Sequence, residues 1–245
     1  SGATNCCQPG SPHDKMIGAR LLLVPLLSAV CLVSGGCLDR DPDEWPVNDI
    51  KDLRKRKQAD LDSIFIRGCV EDEPIMGPTY GEVVAANLIE PLSSLYAQLF
   101  GLVWEGSFMQ KTNCKGKDLF FYFILLNPLD GANILKSQFT WFTAKATVGL
   151  LPDKAQRLDD KPVYLFDYSI SQQDCPDEVS PWGRQKYPFD NPPILKGVID
   201  EARIVGVDEE KRPIQLQRVF IQVLPGVYKL WEYAALLSNP VSSGQ

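Results

Sequence analysis

Histidine is almost missing from this chain. The single residue, His13, lies ahead of Met16, the first methionine. Residues 1–15 are polar and turn-rich, without periodicity, and read as a non-native or disordered leader outside the fold. Setting them aside leaves no imidazole. That excludes His-dependent nucleophilic triads and His general bases, and zinc sites built on His. Cys-x-x-Cys is missing too, so no thiolate metal site or redox pair is indicated. There is no Gly-rich phosphate loop and no Gly-x-Ser-x-Gly elbow. These gaps predict no metal and no cofactor. A basic excess is also lacking. Removing residues 1–36 takes away Lys15 and Arg20 against Asp14 and moves the formal net charge from −6 to −7. A nucleic-acid partner, which wants a basic face, is not expected.

What is present begins with an apolar run, Leu21 to Val33, after the weakly basic Arg20. Its length suits a signal-peptide core, and 16–36 reads as that peptide. Ser34-Gly35-Gly36-Cys37 follows and resembles the lipobox of bacterial lipoproteins. The resemblance implies cleavage before Cys37 and acylation of Cys37, so Cys37 is the expected lipidation residue and the membrane an expected partner. Leu38 after the Cys resembles outer-membrane rather than inner-membrane cargo, so the expected location is the outer membrane, facing the periplasm. An uncleaved membrane anchor is the alternative, since the run is just long enough to span. Beyond the inner membrane the milieu is oxidising. One disulfide among Cys69, Cys114 and Cys175 is expected, with the pair undecided.

About 210 residues remain, enough for one domain with a sizeable core. Residues 37–80 read as a tether and short helix. Leu38 to Asp52 is acidic and Pro-containing, and apolar residues at loose helical spacing occupy 51–67. The run Arg54-Lys55-Arg56-Lys57 suits a solvated helix face or contact with anionic lipid heads. Glu71 to Gly81 is rich in breakers and reads as a loop, and 82–100 reads as helical, interrupted at Pro91. Thereafter the chain is strand-like, with candidates at 102–110, 118–127, 133–142, 144–150, 161–170, 195–206, 214–224 and 226–233. Turn residues separate them and crossover helices are missing. The fold class expected is mainly β, an antiparallel barrel of about eight strands with N-terminal helices, over 81–235, followed by a tail at 236–245. The Pro-rich stretch 172–193 reads as a lid or surface loop.

Trp104-Glu105-Gly106 with Phe108, Asp159 to Tyr168, Asp200-Glu201-Ala202-Arg203 and Pro225-Gly226-Val227-Tyr228 occur in that order. Together they resemble an uncharacterised group of bacterial proteins with a lipocalin-like (calycin-type) β-barrel. The resemblance covers about residues 90–232 and implies a ligand-holding barrel without naming a ligand. Asp160-Lys161 stands where that group has Asp-Gly, and Lys229-Leu230 where it has Leu-Gly.

Trp104, between Gly101 and Gly106, is expected to anchor the barrel floor. Strand alternation puts Val163, Leu165 and Asp167 on one face and Tyr164, Phe166 and Tyr168 on the other. It likewise puts Glu201 and Arg203 opposite Asp200 and Ala202. Glu201 and Arg203 in the lumen, beside Asp167 or Tyr168, would orient a polar head group or form a carboxylate acid/base system. A buried structural ion pair would look the same in sequence. Trp104, Asp167, Tyr168, Glu201 and Arg203 are therefore the candidate ligand-binding residues. Three functions stay open: binding an apolar or amphiphilic small molecule, a carboxylate-dependent isomerase or hydrolase acting on one, and a structural lipoprotein with a filled barrel.

Overall fold

The computed structural model describes residues 36–72, 74–87, 104–111, 119–126, 138–152, 155–169 and 195–238. The molecule is mainly β. Its described strands are β1 (Gly77–Ala86), β2 (Trp104–Lys111), β3 (Leu119–Leu126), β4 (Gln138–Gly149), β5 (Val163–Asp167), β6 (Val198–Val207), β7 (Pro213–Leu224) and β8 (Val227–Ser238). Each pairs antiparallel with its sequence neighbours, and β8 also pairs with β1. The sheet is therefore curled and barrel-like.

Two elements differ from the sequence expectation. The loop and helix expected over 71–100 give way to β1 in their first part. Glu82 to Ala86 pair with Glu232 to Ala235 of β8. Val83-Val84-Ala85 is as compatible with a strand as with a helix, and the β8 edge decides it. The strands expected at 133–142 and 144–150 form one strand, β4, over the described part of that range. The lid expected at 172–193, and the helical part beyond Asn87, lie outside the described residues, as do Cys114 and Cys175.

Two apolar clusters sit on the two faces of the sheet. The first draws on β1, β2 and β4 to β8, with Val83, Trp104, Met109, Ala146, Phe166, Ala202 and Ala234 among its members. Residues from nearly every strand meet only on the enclosed face. The second joins Val84, Val205, Leu216, Phe220 and Ala235 to α1 (Gln58–Arg67) and to the 3-10 turn Ile50–Lys55, on the outer face. Leu61, Ile64 and Phe65 are the buried stripe of α1, at i, i+3 and i+4. Asp60 in its first turn and Arg67 in its last complement the helix dipole.

The acidic segment 38–52, tether-like in composition, is packed against the sheet. Trp45, Val47, Ile50 and Leu53 are all buried. Val47 forms a parallel bridge with Gly206, where a Cβ would stand 1.9 Å from the Val47 carbonyl oxygen. Gly106 does the same on β2. Its φ is +142°, and a Cβ would stand 2.0 Å from the Thr79 carbonyl oxygen, beside a register shift in β2 at Trp104/Gly106. The disulfide joins Cys69 to Cys37, with Cα atoms 5.8 Å apart, and not to Cys114 or Cys175 as expected. Among the described residues, no helix is long and apolar enough to cross a membrane.

Candidate functional site

β6 distributes the charged residues by alternation. Asp200, Ala202 and Ile204 point inward, while Glu201, Arg203 and Val205 point outward. The sequence-level pairing of Glu201 and Arg203 on one face therefore holds. Their neighbourhood is not the one expected.

On the outer face the Arg203 guanidinium forks onto Asp159, at 2.8 Å to Oδ2 and 2.5 Å to Oδ1. It also donates to the carbonyls of Lys161, Pro162 and Phe65. Arg203 beside it holds the Asp159 carboxyl below the usual carboxylate range. Glu201 pairs with Arg218 of β7 instead of Arg203. Burial raises the Glu201 carboxyl even so, and the Arg218 charge pulls the other way. Arg218 also donates to the Gln156 carbonyl at 3.1 Å and lies 3.4 Å from Asp62 of α1. The Phe65 ring stacks against both guanidinium groups, 4.8 Å from Arg203 and 5.4 Å from Arg218. Tyr233 of β8 donates to Asp62 at 2.6 Å. This network clamps α1 and the 155–162 segment onto the sheet. Its charges are mutually engaged, as buried charges must be. Asp167 is half-buried, and its Oδ1 accepts the Ser169 amide at 2.8 Å, closing the turn after β5.

The enclosed face holds a different polar group. Tyr168 points inward, as the alternation implies, and its hydroxyl donates to Asp200 Oδ2 at 2.8 Å. Asp200 is 1% exposed and Tyr168 2%. Burial raises the Asp200 carboxyl well above the usual range, and the nearby Glu232 charge pushes it the same way. Burial likewise raises the Tyr168 phenol, and Asp200 beside it pushes the same way. Both groups are thereby held in their neutral forms. Asp200 Oδ1 has no hydrogen-bond partner, and neither has Nε2 of Gln217, itself 1% exposed. Asp200 faces Val219, and Val219 faces Glu232 on β8, while Gln217 faces Ala202. Asp200, Gln217 and Glu232 thus share one inward patch across three strands. Trp104 is buried in the same cluster, and its ring closes over Gly81, where a Cβ would meet it at 2.8 Å.

Of the candidate residues, the structure therefore brings Trp104 and Tyr168 to the enclosed face. It sets Glu201 and Arg203 on the outer one and leaves Asp167 at the end of β5. Asp200 and Gln217 were not among the candidates. Asp200 had a readable signal, because it alternates with Glu201 on an apolar strand and shares the Ala202 face. Gln217 had none, since an isolated Gln in a strand is ordinary. Among the described residues, no cluster of three His, Cys, Asp or Glu could hold a metal ion. Comparison with protein-family models, with curated proteins and with solved structures found no match.

Proposed function

We propose that this is a cell-envelope protein whose lipocalin-like eight-stranded barrel binds an apolar or amphiphilic small molecule. The observation that carries the reading is a set of buried polar atoms without partners, Asp200 Oδ1, Gln217 Nε2 and Gln215 Oε1, set among the apolar side chains of the enclosed face. Leaving a buried polar group without a partner costs about 1–3 kcal/mol. A fold with no use for such groups places apolar residues there, as β6 does at Ala202 and Ile204. A molecule with an apolar body and a polar end would satisfy both the lining and the open atoms.

Export and anchoring are part of the proposal. The apolar run 21–33 and the small residues before Cys37 support acylation there, with the protein held at the outer membrane and facing the periplasm. One sulfur forms either a thioether or a disulfide. The acylated chain would therefore carry Cys69 as a free thiol in place of the Cys37–Cys69 bond.

Native mass spectrometry on protein purified from its own membrane tests the binding reading, with delipidated protein as the reference. The expected result is a non-covalent adduct that organic extraction removes. Bare protein in every preparation would contradict it and favour a filled, structural barrel.

A further inference from the structure

We propose that the Asp200–Gln217 patch selects an uncharged head group carrying a hydroxyl, bound by both side chains at once, with the tail along the apolar enclosed face. The inference rests on the ligand-binding reading above and names the class of ligand.

Asp200 and Gln217 are diagonal neighbours across β6 and β7. Such positions lie about 7–8 Å apart, within reach of one shared oxygen atom between their side chains. Tyr168 occupies Asp200 Oδ2, so the carboxyl is fixed and only Oδ1 is open. Gln217 Nε2 is a donor that needs an acceptor. A hydroxyl oxygen accepts from that amide. Its proton serves Oδ1 if the carboxyl is ionised, and its second lone pair serves Oδ1 if the carboxyl is protonated. The raised Asp200 carboxyl favours the protonated form.

Charged heads fit worse. A carboxylate would bring a negative charge to a desolvated site that lies, across Val219, beside the Glu232 charge. An ammonium offers no acceptor to Gln217 Nε2. It would also have to ionise Asp200 at a site where burial opposes the charged form. The buried arginines of β6 and β7, Arg203 and Arg218, are committed to Asp159, Glu201 and Asp62 on the other face.

The test is isothermal titration of the full chain, extracted from its membrane and delipidated, at neutral pH. Decan-1-ol, decanoate and decylammonium are the probes, since they share a tail and differ in the head. Decanol binding at least about tenfold more tightly than either ion is the expected result, equivalent to about 1.4 kcal/mol. Gln217→Met and Asp200→Leu should bring the three affinities to within about threefold of each other. Equal affinities in the unsubstituted chain, or preference for either ion, would overturn the head-group assignment and leave amphiphile binding standing. No binding by any of the three would overturn the ligand-binding reading itself. If a variant fails to fold, the comparison of the three probes on the unsubstituted chain still decides.

Discussion

Asp200 is where a single carboxyl has the largest consequence. Its folded form prefers to be neutral, whereas in the unfolded chain it ionises above about pH 4. Folding must then withhold that ionisation, so stability falls as pH rises from the unfolded value toward the raised folded one. Among the described residues, the groups acting on Asp200 are Tyr168 and Glu232. Asp200→Asn keeps the shape and removes the titration. The variant should therefore melt higher than the parent at pH 8 and show a flatter dependence of melting temperature on pH between 5 and 8. Thermal scans across that range check it, and parallel curves for the two proteins would contradict it. Asp159 runs the opposite way. Arg203 depresses its carboxyl, so its contribution is present above the unfolded value and is lost as pH falls through the folded one. Arg203→Ala should cost about 3–5 kcal/mol at pH 7 by denaturant unfolding, because Asp159 loses its partner and three carbonyls lose a donor. That deficit should shrink in acid. At this scale the sequence was informative about faces and silent about partners. Alternation correctly separated Asp200 from Glu201 and Tyr168 from Asp167. It could not tell which face the curl encloses, because a strand covered on both sides by apolar residues gives no inside signal. Arg218, at separation 17 from Glu201, competes with Arg203 for that carboxylate in a way no local spacing reveals.

At the scale of elements, α1 acts as a buttress for the outer face of β6 to β8. Phe65 is its centre, in contact with two guanidinium groups and 1% exposed. Phe65→Ala should destabilise the fold by about 3–5 kcal/mol, read from the denaturant midpoint at unchanged slope. Loss of less than about 1 kcal/mol would mean that the helix is dispensable to the sheet. The strands from β5 to β8 were legible because Gly, Pro and Asp punctuate an alternating pattern. β1 was not, because Gly77-Pro78 and Gly81 look like loop residues. Gly81 sits instead where the Trp104 ring crosses the strand. Segment 38–52 also misled. Its charges dominate the composition, yet Trp45, Val47 and Ile50 are enough to pin it to the sheet, and Gly206 supplies the room.

For the whole molecule, Cys37 ties the N-terminal segment to Cys69, 32 residues away and bridged to Ile204 of β6. Closing a loop of that length contributes about 3–4 kcal/mol in the chain-entropy account. Cys69→Ser should lower stability by that order in disulfide-bonded protein, and should leave a Cys37-acylated form unaffected. Peptide mapping of protein from its own membrane separates the states, since a Cys37–Cys69 cross-linked peptide and an acylated Cys37 peptide cannot come from the same molecule. An acylated peptide supports the anchor, and the cross-linked one alone contradicts it.

The central claim is that the enclosed face, at Asp200 and Gln217, receives a ligand's polar end. Carbon and nitrogen chemical shifts of the Asp200 carboxyl and the Gln217 side-chain amide, followed during titration with decan-1-ol, test it most directly. The account predicts that both signals move with the same saturation curve as the bound alcohol. Binding of the alcohol with both signals unmoved would contradict it.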